Sequence, residues 1–417
     1  MLRRRARILT SISVLGIAIA AIVHAEPPSD NGDHTVDEVR SSFRSDAVPV
    51  LTEALAAVAT SGAYRDSVGL DDAVEGMLRG LVAALDDPYA GLAVRPAVQD
   101  EPHGTDEEAG ASAERGIVLD IDRFGRLTVG AVLAGSPADR AGLRSGDTML
   151  RVDGRNLAGS SPWQVLPSLR GSDAHAVEVV VERAGEPLEI RVPAGDYEMN
   201  AVSLRLGDVV EGAWKDDPAG TIAWLRVHAF VAPLMLEQWS DAVGEIWNAP
   251  GVQSIVLDLR DNGGGDNACI RALGDFFPGG SHLVTFDALV GDADWSQRVV
   301  NGFVPRARLM TYPAAVLVNE RTASLAEIFA AALAEGRRAP LVGGRTYGKG
   351  TTQTWVRVSD RYALHLTTGA WRSPAGLSID GTGLPPDVPV AAAGDDAHLA
   401  AAIHALTARR RSAAADR

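Results

Sequence analysis

The chain has 417 residues, more than one hydrophobic core usually organises, so two or three domains are expected. A formal charge of −15 argues against a nucleic-acid polyanion as partner, and 46% hydrophobic with 22% charged residues is the make-up of a folded soluble protein. The single cysteine, Cys269, excludes an intramolecular disulfide; with no histidine beside it, it reads as a small buried side chain rather than a nucleophile.

The first elements form a targeting pattern. Arg3, Arg4, Arg5 and Arg7 precede an apolar stretch from Ile8 to Val23, and small residues surround a candidate cleavage site at Ala25. The stretch is shorter than the roughly 20 residues of a membrane span. Residues 1–25 read as a secretory signal or, if uncleaved, an N-terminal anchor to the inner membrane. Either places the rest outside the cytoplasm, periplasmic or secreted, and confines membrane contact to this segment.

Residues 36–112 form a helical region and linker. Val48, Leu51, Leu55 and Val58 recur at helical spacing, as do Met77, Leu81 and Leu85, and the helical pattern is read as far as Val94. Asp86-Asp87-Pro88-Tyr89 ends the second run, and Asp100 to Glu114 is a polar linker. From 113 to 196 the period changes to two. Strands are expected at Gly116–Ile121, Leu127–Val132, Thr148–Asp153, Val177–Val181 and Leu188–Val192, with a short helix after Ser136 and another around Trp163–Leu166. From 197 to 395 strands at Thr221–Val227, Ser254–Arg260 and Ala314–Asn319 alternate with helices at Leu234–Trp247, Ala268–Phe277 and Leu325–Glu335, which predicts an α/β layered core with parallel pairing. Residues 396–417 read as a C-terminal helix with a basic tail.

Of 39 basic side chains only Lys215 and Lys349 are lysine. Arginine cannot lose its proton in a protein, whereas lysine can when its surroundings disfavour the charge. Lys215 lies in an apparent loop beside Asp216 and Asp217, where a charged, ordinary role is expected. Lys349 lies in Tyr347-Gly348-Lys349-Gly350-Thr351, whose neighbours carry no charge. Work as a base at neutral pH requires the ammonium to be disfavoured by roughly 4 kcal/mol relative to water. Burial away from any carboxylate is the expected means, and a solvated turn lysine is the plainer alternative.

Ser324 precedes an apolar run with Glu327 three residues on, a helix capping box. The same junction offers unpaired backbone N–H groups and the positive helix end to a developing oxyanion. The Gly263-Gly264-Gly265 turn offers a second donor, since glycine lets backbone approach a ligand closely. No G-x-S-x-G elbow, H-E-x-x-H metal pattern or Walker loop is present, and His228 and His365 fall in expected strands, where packing is the simpler role.

Two resemblances sharpen this reading. "GSPADRAGLRSGDTMLRVDG" resembles PDZ domains of the bacterial protease-associated kind. The resemblance implies capture of a peptide C-terminus by strand addition at Gly116-Ile117-Val118, with a pocket completed by the helix bearing Val165 and Leu169. "VLDLRDNGGG", "VLVNERTASLAEI", "LVGGRTYGKGTTQ" and "GTGLPPDVPV" appear in the order found in carboxyl-terminal processing peptidases, or tail-specific proteases, across about residues 36 to 410. That resemblance implies a crotonase-like core with a PDZ domain inserted after the helical region. It implies Ser324 as nucleophile, Lys349 as general base and Gln353 as the residue orienting it. Backbone N–H groups of Gly264 or Gly265 and of Leu325 would form the oxyanion hole. The chain departs from the family in Leu325 beside the nucleophile and in Asp266-Asn267 after the glycines. The expected partners are proteins or peptides with exposed C-termini, with no cofactor, metal or nucleic acid; a homo-oligomer or an adaptor protein stays open. The competing readings are a non-catalytic PDZ adaptor on a protease-like core and a crotonase-type acyl-transfer enzyme.

Overall fold

Two apolar runs, Ser254–Asp258 and Ala314–Val318, have every residue buried, the mark of strands covered on both faces. The computed structural model describes residues 69–94 and 111–415 apart from short internal stretches, the longest being 289–295 and 302–307, together with a few positions between 50 and 57. The targeting pattern of residues 1–25 lies outside the described residues. Among those described, no helix is long and apolar enough to cross a membrane.

In chain order come α1 (Leu70–Ala84), β1 (Gly91–Val94), β2 (Ala111–Ser112), β3 (Ile117–Ile121), β4 (Leu127–Val132), α2 (Pro137–Arg140), β5 (Thr148–Val152), β6 (Arg155–Asn156), α3 (Pro162–Arg170), β7 (Val177–Arg183) and β8 (Glu186–Val192). There follow β9 (Val202–Val210), β10 (Ala213–Asp216), β11 (Ile222–Val227), α4 (Leu234–Asn248), β12 (Ser254–Asp258), α5 (Ile270–Leu273), β13 (His282–Ala288), β14 (Ser296–Val300), β15 (Ala314–Val318), α6 (Leu325–Glu335), β16 (Leu341–Gly343), β17 (Thr351–Arg357), β18 (Tyr362–Arg372), β19 (Val388–Pro389) and α7 (Gly394–Ala415).

The central sheet runs β10-β9-β11-β12-β15-β16-β19, parallel from β11 onward. One face packs Met235, Trp239 and Val243 of α4 and Phe329 of α6; the other packs Leu399, Ala402 and Leu406 of α7 against Val256 and Leu317. A second sheet, β1-β18-β13-β14 with β17 beside β18, stands next to it. The β-rich unit is a third sheet, β2-β3-β4-β5-β7-β8, with its own core around Ile117, Val129, Val165 and Leu169. It is inserted, because the chain enters it from β1 of the core and returns through β9. Arg115 anchors its entry, donating to the carbonyls of Leu169 (2.7 Å), Val192 (2.9 Å) and His175 (2.9 Å).

Three expectations change. The helical pattern ends before Val94, because Gly91–Val94 pairs antiparallel with β18 from Gly91↔His365 to Val94↔Tyr362. Four small and apolar residues fit either period, and an available strand edge decides. Ala268–Phe277 is broken into short turns, 3-10 at Asn267–Cys269 and Gly274–Phe276 around α5. Lys215 sits in strand β10, not a loop.

His228 and His365 are packed. Burial first, then the positive charge of Arg226, lowers His228 to about 4; burial, then Lys349, lowers His365 to about 4. His228 Nε2 pairs with Ser203 Oγ at 2.9 Å and His365 Nδ1 with the Tyr89 carbonyl at 3.0 Å. Both are neutral in the fold, while an unfolded histidine titrates near 6.5. The unfolded chain therefore binds more protons across this window, and stability falls as pH drops from about 6.5 towards 4. Each histidine should cost about 2 kcal/mol by pH 5. Urea midpoints of the wild type and His228→Gln at pH 7 and pH 5 check this; an equal acid loss in both would remove His228 from the account.

Candidate active site

Three loops leave the carboxyl ends of β12, β15 and β16 and converge, as crossover connections in a parallel sheet require. The first runs through the glycine turn. At its base the Asp258 carboxylate accepts from Arg260 Nε (2.9 Å), Arg260 Nη2 (2.7 Å) and Trp224 Nε1 (3.1 Å). Burial opposes ionisation of Asp258, but the Arg260 guanidinium outweighs it and holds the carboxyl below its usual range. Asn262 donates through Nδ2 to the Val227 carbonyl at 2.8 Å, and its Oδ1 accepts from the Gly264 N–H at 2.8 Å. Gly264 and Gly265 have φ of +100° and +140°. A Cβ on Gly264 would lie 2.9 Å from the Leu325 nitrogen, and one on Gly265 would lie 2.2 Å from the Phe230 oxygen, so both positions require glycine.

The second loop carries Ser324. Thr322 Oγ1 donates to the Leu259 carbonyl (2.9 Å) and the Ala323 N–H to the Asn262 carbonyl (2.9 Å), which ties this loop to the first. Ser324 is half-buried and sits at φ +54°, ψ −121°, a strained conformation for a residue with a Cβ. The Glu327 carboxylate accepts from the Ser324 N–H at 2.9 Å, while the Glu327 N–H donates to the Ser324 carbonyl at 2.8 Å. The Ser324 hydroxyl makes no capping hydrogen bond, so it is not simply a helix cap.

The third loop brings Lys349. The Tyr347 N–H donates to the Thr322 carbonyl (3.0 Å) and Trp371 Nε1 to the Lys349 carbonyl (3.0 Å). Glu327 reaches this loop too. Its Oε1 accepts from Thr346 Oγ1 (2.5 Å) and the Gly348 N–H (2.7 Å), and its Oε2 accepts from the Lys349 N–H (2.9 Å). One buried carboxylate oxygen thus holds the backbones of both Ser324 and Lys349. Burial pushes the Glu327 carboxyl above its ordinary range, against the pull of these four donors.

The side chain of Lys349 overturns one expectation. Burial without a carboxylate neighbour was expected; instead Nζ donates to both oxygens of Asp120 at 2.8 Å. Asp120 lies on β3, 229 residues earlier, and reaches Lys349 only because the β-rich unit packs against the core. The Tyr89 ring lies 5.1 Å from Nζ. The two lysine faces thus contact a carboxylate and an aromatic ring that local sequence did not connect to it.

The remaining candidates are placed as follows. Gln353 lies on β17 and donates to Thr351 Oγ1 (2.9 Å) and Thr367 Oγ1 (3.3 Å), not to Lys349. It lines a cavity of about 610 Å³ with Ile270, Phe286 and Val299. The Gly264 N–H is committed to Asn262; among the described residues the N–H groups of Gly265 and Leu325 have no protein acceptor. Gly116 begins β3 at φ +73°. Ile117, Val165 and Leu169 are interior to the β-rich unit rather than lining an open pocket, and the edge of β3 at Ile117 and Val118 is paired with β2. Asp266 turns inward, accepting from the Ala268 N–H (2.6 Å). Among the described residues no group of His, Cys, Asp and Glu is arranged to hold a metal ion.

Sequence reasoning missed Asp120 and Tyr89, and it read Glu327 as a helix cap only. A signal existed for Asp120: it is the one charged residue in the run Gly116–Ile121. Tyr89 ends the Asp-Asp-Pro-Tyr segment, which read as a helix stop.

Comparison with known proteins agrees with this layout. The profile of peptidase family S41 matches residues 221–390, and that of a PDZ domain matches residues 128–183. The carboxy-terminal processing protease CtpA of Bacillus subtilis (strain 168) is 29% identical over 328 residues, covering 78% of this chain and 65% of that protein. A probable CtpA-like serine protease of Staphylococcus haemolyticus (strain JCSC1435) is 27% identical over 324 residues, covering 76% of this chain and 60% of that protein. The chain thus spans less than two thirds of the length of these relatives. The structure of a photosystem II D1 C-terminal processing protease superposes with a TM-score of 0.64 at 25% identity, covering 91% of this chain and 92% of that one.

Proposed function

We propose that the chain, whose residues 221–390 match the profile of peptidase family S41 and which is similar to carboxyl-terminal processing proteases, is an extracytoplasmic serine endopeptidase of that family cleaving proteins at or near their C-termini by a Ser324–Lys349 mechanism. The observation that carries this reading is the shared anchor: one oxygen of Glu327 holds the backbone N–H of both Ser324 and Lys349 at 2.9 Å. A strained serine with an uncommitted hydroxyl, its backbone tied through Glu327 to that of a lysine, suits nucleophilic attack, which a structural helix cap does not need.

In the reaction, Ser324 Oγ bonds to the scissile carbonyl carbon while the neutral Lys349 amine takes the hydroxyl proton. The carbonyl oxygen becomes an oxyanion. The N–H groups of Gly265 and Leu325 support it better than that of Gly264, whose hydrogen already points at Asn262. The C–N bond then breaks as the Lys349 ammonium returns its proton to the leaving amine. Water attacks the acyl-serine with Lys349 again taking a proton, and Ser324 is regenerated. Substrate C-termini would be captured by strand addition on β3 of the PDZ unit, and the cavity beside Gln353 would take an apolar side chain of the substrate.

The test is to incubate the full chain with an unfolded protein bearing a free C-terminus and to follow products by mass spectrometry. Fragments shortened from the C-terminal side are expected, with less cleavage of a C-terminally amidated version. Tight binding of C-terminal peptides with no cleavage would instead favour the adaptor reading.

A further inference from the structure

The cavity beside Gln353 is larger than one side chain needs. Its volume of about 610 Å³ is that of a site for a whole small ligand, so a single apolar side chain leaves part of it unfilled. One wall comes from the two loops that carry the reacting groups. Asn267 and Ala268 come just after the Gly265 donor, and Thr352 and Gln353 just after Lys349. Across from them β13 and β14 supply Leu283, Phe286 and Val299.

Among the described residues two charged side chains line this space, Asp287 and Arg271. Asp287 is already matched: its carboxylate accepts from Arg372 Nε (2.6 Å), Arg372 Nη2 (2.7 Å) and Ser296 Oγ (2.8 Å). Arg271 is not. Its side chain is exposed, and among the described residues its guanidinium has no acceptor. The acids nearest to it in sequence are turned elsewhere. Asp266 faces into the protein, with Oδ1 accepting from the Ala268 N–H (2.6 Å) and Oδ2 sealed from solvent. Asp275 accepts from Trp239 Nε1 (2.9 Å) and Arg308 Nε (3.4 Å). Thr354 and Thr368 pair their hydroxyls at 2.7 Å on the opposite wall. An apolar cavity with its polar groups paired thus keeps one uncompensated positive charge.

The position of that charge is set by the fold. Ile270 and Leu273, on the same short helix α5, are buried in the main core. The turn leading to α5 grows directly from Gly265: the Asp266 N–H donates to the Phe230 carbonyl at 2.7 Å and the Cys269 N–H to the Asp266 carbonyl at 3.0 Å. Arg271 is therefore held in a fixed relation to the Gly265 donor.

We propose that Arg271 is a specificity-determining residue: the cavity takes an apolar side chain of the substrate together with a neighbouring substrate carboxylate, which the Arg271 guanidinium pairs. A guanidinium presents a planar fork of donors that matches a carboxylate. A basic substrate side chain brought to the same wall meets a like charge and is rejected. The carboxylate has two sources, an Asp or Glu side chain beside the apolar residue or the end of the substrate chain itself. This role for Arg271 rests on the Ser324–Lys349 reading, which puts the scissile bond between the two loops that wall the cavity.

The test uses the full chain and variants of one parent peptide. Glu, Gln or Lys is placed beside the apolar residue at the cut, each with a free or an amidated C-terminus. Wild type should cleave the Glu peptide with kcat/KM about tenfold above the Gln peptide, and the Lys peptide least well. Arg271→Gln should bring the Glu-to-Gln ratio near one, and Arg271→Glu should place Lys above Glu. General loosening of the site lowers all rates together and does not invert an order set by charge. Where the carboxylate is the chain end, Glu and Gln peptides are cleaved alike, and a preference for free over amidated peptides shrinks in Arg271→Gln. Arg271→Glu keeping the wild-type order overturns the assignment, as does a wild type indifferent to both kinds of carboxylate. Cleavage that survives Ser324→Ala defeats the dyad reading itself; cleavage lost in Ser324→Ala yet insensitive to charge at Arg271 defeats only the specificity role.

Discussion

Lys349→Arg should reduce cleavage of an unfolded protein by about 10³-fold or more while leaving the fold intact. The substitution keeps a long cationic side chain at 349 but removes its ability to become neutral. A guanidinium can still pair with both oxygens of Asp120, which now lie 2.8 Å from Nζ, and can still lie near the Tyr89 ring. The backbone bonds to Glu327 and Trp371 do not involve the side chain. Thermal melting should therefore change little, whereas initial cleavage rates should collapse. Retention of a tenth or more of wild-type activity would show that Lys349 serves through its charge and that the base lies elsewhere. Ser324→Ala should lose as much or more, since it removes the bond-forming atom.

The second large effect is expected at Glu327. Its two carboxylate oxygens face four donors, the N–H groups of Ser324, Gly348 and Lys349 and the Thr346 hydroxyl. Glu327→Gln leaves one oxygen and turns an NH₂ towards at least one backbone N–H. Buried donors then lose their acceptor at about 1–3 kcal/mol each, so stability should fall by about 3 kcal/mol. The kinetic signature separates positioning from mere loosening. kcat should drop by about 10²-fold with KM little changed, because the groups that move are those that react rather than those that bind peptide. Labelling of Ser324 by a serine-directed phosphonate should slow in parallel. Glu327→Asp, one methylene shorter, should not restore both ends of the bridge at once. Equal kcat for Glu327→Gln and wild type at a temperature where both are folded would reduce Glu327 to a helix cap.

Much of the site was legible because its residues sit in short segments with strong local constraints. Glycine at 264 and 265 is demanded by positive φ and by backbone atoms within 3 Å of any Cβ, so the turn announces itself in sequence. Ser324 before an apolar helix with Glu327 three residues on is equally visible, as is a lone lysine among glycines and threonines. The fully buried strands β12 and β15 read directly as unbroken apolar runs. Less legible was what Glu327 does with its second oxygen and its other partners, because Gly348 and Lys349 lie 21 and 22 residues away. The orienting part expected of Gln353 depended on strand register: on β17 its amide turns to Thr351 and Thr367.

What the sequence by itself determined is the set of candidate groups and the local backbone that presents them, since hydrophobic periodicity, glycine conformations and capping are contacts between near neighbours. What only the tertiary structure decided is the charge environment of Lys349. Its charge-free flanks predicted an amine apart from carboxylates, yet a strand 229 residues away places Asp120 on it. Electrostatic interactions act through space and ignore chain distance, so the partner of a buried lysine is settled only when separate sheets pack together.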